Sequence, residues 1–140
     1  MESAQERDGQ GQPRGQVRDS ATAVWEGGLR SRVTVSTTSG PAQFVVDSAG
    51  PSPTDHLLVA LASCYAAALA WAARKRGIEL PDLTVTATGS YDGPRFRQLV
   101  LTVTTSFPRD QLDRLLRPAL AVCYVSNAID AATPIDVAVA

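Results

Sequence analysis

From Ala21 onward, apolar and polar residues alternate with a period of two. ATAVWE reads as a strand, the following GG as a turn, and LRSRVTVSTT as a second strand. Successive side chains of a strand point to opposite sides. Arg30, Arg32, Thr34 and Ser36 therefore share one face, and Leu29, Ser31, Val33 and Val35 the other. SGPA turns the chain into a third strand, QFVVD, completing an antiparallel meander. SAGPSPTD then breaks the alternation. Its prolines, glycine and serines dictate a loop, and Ser52 or Thr54 is placed to cap a helix beginning there.

From about Thr54 to Lys75 the period becomes helical. Apolar residues at 57, 58, 61, 65, 68, 69 and 72 predict a helix of about 22 residues and about 33 Å. Arg74, Lys75 and Arg76 complement the negative pole of its dipole, and Gly77 supplies the stop. Between Leu57 and Ala73 no face carries a charge, so burial on nearly all sides is expected. The same run is Ala-rich, contains Ser63 and Cys64, and falls short of the ~20 apolar residues of a bilayer span. These features read as a soluble, cytoplasmic protein without a membrane segment.

DLTVTATGSY and RFRQLVLTVTTSF return to a period of two and form two long strands joined by a turn at 92–94. Pro108 opens a second helix, RDQLDRLLRPALAV, with Leu112, Leu115, Leu116 and Leu120 on its apolar side. Pro118 inside that pattern predicts a kink or a restart. PIDVAVA closes the chain as a strand. The order β-β-β-α-β-β-α-β defines an α+β domain over residues 21–140, without the repeated β-α-β units of a nucleotide-binding crevice. Residues 1–20 are too polar to bury a core and read as a mobile tail.

Composition narrows the chemistry. The 140 residues suit one domain, and a net charge of −1 provides no strong attraction to nucleic acid or anionic membranes. The start, MESAQERDGQ, has no apolar core of a secretory signal. Two cysteines and one histidine show no metal-ligand spacing, and no glycine-rich phosphate or dinucleotide motif is present, so neither metal nor cofactor is expected. Asp55 lies about 100° from His56 around the same helix, a poor geometry for orienting an imidazole. Cys64 and Cys123 remain. On periodicity alone each reads as a small core residue, which is how a lone cysteine usually behaves.

Three strings in order change that weighting. GPSPTDHLLVALASCY resembles the helix-cysteine signature of the OsmC/Ohr family of thiol peroxidases, CYVSNA resembles its second-cysteine motif, and VWEGGLRSRVTVSTTSG resembles its opening hairpin. The resemblance runs from about Ala23 to the C-terminus. It implies an intertwined homodimer, with two long helices back to back and wrapped by strands of both subunits. It also implies reduction of organic hydroperoxides, with Cys64 attacking, Cys123 resolving the product as a disulfide, and a dithiol reductant regenerating both. A protein on the same scaffold that binds ligands or senses thiol redox state without turnover is the alternative.

Such chemistry needs a thiolate, whereas an ordinary thiol with a pKa of ~8.5 is only ~3% ionised at pH 7. Burial alone raises a thiol pKa, and a helix dipole fades within about one turn. A cation must therefore reach the sulfur. The resemblance assigns this to an arginine of the early hairpin, matched by Arg30 or by Arg32 on the same strand face. The acid that steers it is a glutamate after the proline in one branch of the family, where Thr54 stands here. Asp55 matches another branch. Tyr124 stands where the second-cysteine motif has proline. Trp71, Tyr65 and Tyr124 are expected to wall the pocket for a bulky apolar peroxide.

Overall fold

A computed structural model describes residues 19–140. The stretch read as a tail lies outside them except for its last two residues, and Ser20 already belongs to the first strand. The described chain falls into two compact units that divide between Ser52 and Pro53.

The first unit is the expected meander: β1 (Ser20–Gly27), β2 (Arg30–Thr37) and β3 (Gly40–Val46), antiparallel in that order. Gly28 has a φ of +53°, a left-handed conformation that glycine adopts without a Cβ clash, and its carbonyl accepts the Trp25 indole N–H at 2.9 Å. Pairing slips between Trp25 and Gly27, so Glu26 is the extra residue of a bulge. Among the described residues of this unit, Val46 alone belongs to the buried hydrophobic set, while Val24, Trp25 and Phe44 are exposed.

The second unit contains α1 (Pro53–Lys75), β4 (Thr84–Asp92), β5 (Arg95–Thr104), α2 (Arg109–Val122), α3 (Tyr124–Ile129) and β6 (Ile135–Val139). Its sheet has the order β4-β5-β6, with β4 and β5 antiparallel and β5 and β6 parallel. Leu99, Leu101 and Val103 alternate along β5 and point into a core shared with Leu61, Tyr65, Leu69 and Ala72 of α1 and Leu112, Leu115 and Ala119 of α2. Between Phe96 and Gly89 the strands approach closely. A Cβ on Gly89 would lie 2.4 Å from the Phe96 ring, which also stacks on Tyr91 at 4.8 Å.

Three features differ from the sequence reading. The six-residue α3 has no counterpart in the predicted elements, so the order is βββ-α-ββ-αα-β within the same α+β class. The α2–α3 crossover returns the chain parallel to β5, a direction that antiparallel hairpin signals do not report. Pro118 is accommodated inside one continuous α2.

The long helix also departs from expectation. Leu61, Tyr65, Ala68, Leu69, Ala72 and Ala73 of α1 are buried, but Val59 and Trp71 are 59% and 48% exposed. Within one chain the helix is covered on one side. By length and composition it is long and apolar enough to cross a membrane, yet its buried face anchors the core of this unit. Its end matches the expected stop: the Ile78 N–H returns to the Ala73 carbonyl at 2.9 Å around Gly77, and Arg76 Nη1 donates to the Ala72 carbonyl.

Candidate active site

Cys64 lies in the fourth turn of α1, partly exposed, and Cys123 is fully buried between α2 and α3. Although far apart in sequence, the two thiols lie close enough for Cys64 to raise the Cys123 thiol, and no disulfide links them. Packing of α1 against α2 and α3 brings them together. Cys123 ends α2 in an extended conformation, φ −82° and ψ 103°, which breaks the helix before α3 begins.

Burial pushes the Cys123 thiol above the usual range. Hydrogen bonds from Ser126 oppose that rise, and the neighbouring Cys64 adds to it. Tyr65 is held neutral chiefly by burial and secondarily by the charge Cys123 can carry, and its hydroxyl donates to the Leu116 carbonyl at 3.1 Å. Tyr65 is thus a fully buried core residue and not part of a pocket wall.

A groove of about 450 Å³ opens over Cys64, lined also by Ala67, Ala68, Trp71, Val122 and Tyr124. Two of the three expected aromatics therefore flank the thiol. Tyr124 is 86% exposed, and the Lys75 ammonium sits 5.0 Å from the centroid of the Trp71 ring. A larger cavity, about 630 Å³, lies near the C-terminal end of α1 between Arg74, Ile78 and Leu83, and no thiol lines it. Proximity to the sulfur pair makes the smaller groove the chemical candidate.

The arginines belong to the first unit. Arg30 Nε donates to Glu26 at 3.2 Å and Nη1 to Asp47 Oδ2 at 3.2 Å, while Arg32 Nε donates to the other Glu26 oxygen at 3.3 Å. The bulge at Glu26 sets its carboxylate between both guanidiniums. Asp47 Oδ1 is occupied by the N–H groups of Ala49 and Gly50. About half of each arginine side chain is exposed, so these pairs orient more than they stabilise. Asp55 lies in the first turn of α1 and is exposed. Among the described residues, no group of three or more His, Cys, Asp or Glu side chains could hold a metal ion.

Glu26 and Asp47, which hold the two arginines, and Ser126 and Asn127, which bond the turn at Cys123, are neighbours of the predicted residues that the sequence reading did not name. Glu26 is visible as the acid inside WEGG, and Ser126 and Asn127 as the polar pair in CYVSNA. Chemically, the arrangement is a solvent-reached thiol with a shielded thiol near it. Such a pair can give up two electrons and join as a disulfide.

This α+β fold with a cysteine on its central helix and a second between two later helices defines a class of thiol-bearing domains. The profile of the OsmC-like protein family matches residues 46–138, and the chain belongs to that family. No curated protein matches it. Among solved structures, an organic hydroperoxide resistance protein OsmC from Legionella pneumophila is 20% identical, with a TM-score of 0.72, covering 91% of this chain and 99% of that one. An organic hydroperoxide resistance protein from Elizabethkingia anophelis is also 20% identical, with a TM-score of 0.72 and coverages of 91% and 98%. OhrB of Bacillus subtilis, likewise an organic hydroperoxide resistance protein, is 20% identical with a TM-score of 0.67 and coverages of 89% and 98%. At these identities the likeness establishes the fold.

Proposed function

We propose that this protein is a cytoplasmic, homodimeric thiol peroxidase that reduces organic hydroperoxides. The observation that carries the reading is that Cys64 lines an apolar groove while the buried Cys123, brought near by the packing of α1 against α2 and α3, is close enough to feel it. The Cys64 thiolate attacks one peroxide oxygen, the O–O bond breaks, and the departing alkoxide takes a proton to become the alcohol. Sulfur loses two electrons and becomes a sulfenic acid. Cys123 then attacks that sulfur, forming the S–S bond and releasing water. A dithiol reductant exchanges with the disulfide and restores both thiols.

Arg30 or Arg32 is assigned to stabilise the thiolate and the leaving alkoxide, with Asp55 as a further orienting acid. Glu26 and Asp47 already fix the direction of these guanidiniums within their own unit. Dimerisation is supported by apolar surface left open in the single chain: Val59 and Trp71 on α1, and Val24, Trp25 and Phe44 on the meander. A second copy of the chain is the occupant assigned to those faces.

Counting free thiols before and after one equivalent of cumene hydroperoxide tests the reading. Loss of two thiols per chain is expected, and Cys64→Ser should abolish both that loss and peroxide consumption. Two thiols retained in the native chain would leave the non-turnover binding or sensing module in its place.

A further inference from the structure

The turn carrying Cys123 is tied by two side chains: Asn127, and Ser126, which also lowers the Cys123 thiol. The last carbonyls of a helix lose their main-chain partners, and α2 ends beside the reacting sulfur. Asn127 Nδ2 donates to the Ala121 carbonyl at 3.1 Å, and the Cys123 N–H donates to the Leu120 carbonyl at 3.2 Å. On the other side, the Cys123 carbonyl accepts the Asn127 N–H at 3.0 Å and the Ser126 hydroxyl at 3.1 Å. Ser126 is buried, whereas Asn127 is exposed.

We propose that Ser126 and Asn127 clamp the α2–α3 junction so that Cys123 is held ready for disulfide closure, with Asn127 as the principal positioning residue. The inference rests on the peroxidase reading. A helix of six residues is too short to hold itself in place, so α3 depends on bonds to its surroundings. Tyr124, at its first position, is almost wholly exposed and offers little anchorage. The Asn127 amide instead links α3 back across the cysteine to α2. An exposed bond of this kind adds little stability, but it fixes a direction.

Direction matters because disulfide closure tolerates a narrow range of Cα separation and torsion. Oxidation of Cys64 by peroxide, with release of the alcohol, does not involve Asn127, which does not line the groove. The next step does depend on the clamp: the Cys123 sulfur displaces hydroxide from the Cys64 sulfenic acid, the S–S bond forms, and water leaves. The peroxide has already accepted the two electrons, so no other oxidant is consumed. Loosening the junction should lengthen the life of the sulfenic acid and leave its formation unchanged.

The experiment treats native protein, Asn127→Ala, Asn127→Gln and Ser126→Ala with one equivalent of cumene hydroperoxide in the presence of dimedone, which traps sulfenic acid. Mass spectrometry reads the ratio of Cys64 adduct to Cys64–Cys123 disulfide, and stopped-flow reads peroxide loss in the first turnover. For Asn127→Ala, first-turnover peroxide loss should match native protein while disulfide closure slows on the order of 10- to 100-fold, and the adduct should predominate. Asn127→Gln, which keeps an amide donor, should recover part of the closure rate. Ser126→Ala should move the ratio in the same direction by less; because Ser126 also lowers the Cys123 thiol, its closure is read at a pH above the ordinary thiol range, where a remaining defect reports the loosened turn and decides the matter if Asn127→Ala fails to fold. Native closure rates in both folded alanine variants would overturn the clamp. Native protein that yields neither disulfide nor adduct would instead overturn the peroxidase reading, and the clamp with it.

Discussion

The three strands of the first unit leave Val24, Trp25 and Phe44 open to solvent, whereas β5 of the second unit buries Leu99, Leu101 and Val103 completely. Both sheets have three strands and comparable apolar content. The difference lies in what covers them: α1 and α2 pack on the second sheet, and only Val46 of the meander reaches the buried set. A three-stranded sheet with little burial is marginal by itself. The second unit thus holds nearly all of the buried core and both sulfur atoms. The first carries Arg30, Arg32 and exposed apolar side chains.

The sharpest break of that comparison is chemical. Cys64→Ser in the helical unit should reduce peroxide consumption to the uncatalysed rate in a peroxide-depletion assay, while Thr34→Ala on the meander should leave it near the native value. The resolving step should also depend on pH. Because burial raises the Cys123 thiol, its reactive thiolate is scarce at neutral pH and accumulates only above the ordinary thiol range. Disulfide closure monitored by stopped-flow should therefore speed up as pH rises beyond that range, and a closure rate independent of pH would separate the step from Cys123 ionisation.

Packing gives the next contrast. Leu101→Ala should cost about 2–5 kcal/mol in urea unfolding, as expected for a fully buried leucine. Phe44→Ser on the meander should cost less within a chain, but should shift sedimentation toward a lighter species if a second copy covers that face. Unchanged sedimentation would show that the face is not an interface.

Electrostatic effects come last. Glu26→Gln should alter stability by less than about 1 kcal/mol, because its ion pairs are partly solvated. The Ser106 N–H and hydroxyl, with Thr105, hold the Asp82 carboxyl below its ordinary value of 3.8. A lowered acid favours the folded state above its unfolded pKa, so this small contribution should fade as pH falls from about 3.8 through the lowered value. Asp82→Asn should remove that portion of the acid dependence in pH-resolved unfolding.

Much of this architecture is legible because period and punctuation agree. The proline at 53, the uncharged run to Ala73 and Gly77 delimit α1 closely, and the alternation in VTVST and LVLTV marks the strands. Less legible is whatever depends on contacts between distant segments. Six residues of α3 are too few to show a helical period, and the parallel return of β6 is a tertiary choice. Sequence reading groups Tyr65 with the groove, but one residue along a helix turns about 100°, which carries its ring into the core. Glu26 owes its position between two arginines to a bulge that no alternation pattern reports. For the cysteines, spacing alone does not distinguish filler from a pair, and only the family resemblance supplies the expectation that they meet.

The most direct test of the central claim is intact-mass and peptide mass spectrometry under non-reducing conditions after one equivalent of an organic hydroperoxide. A loss of about two hydrogens per chain and a peptide joining Cys64 to Cys123, reversed by a dithiol, is expected. Two alkylatable thiols and an unchanged mass, with the peroxide still present, would contradict it.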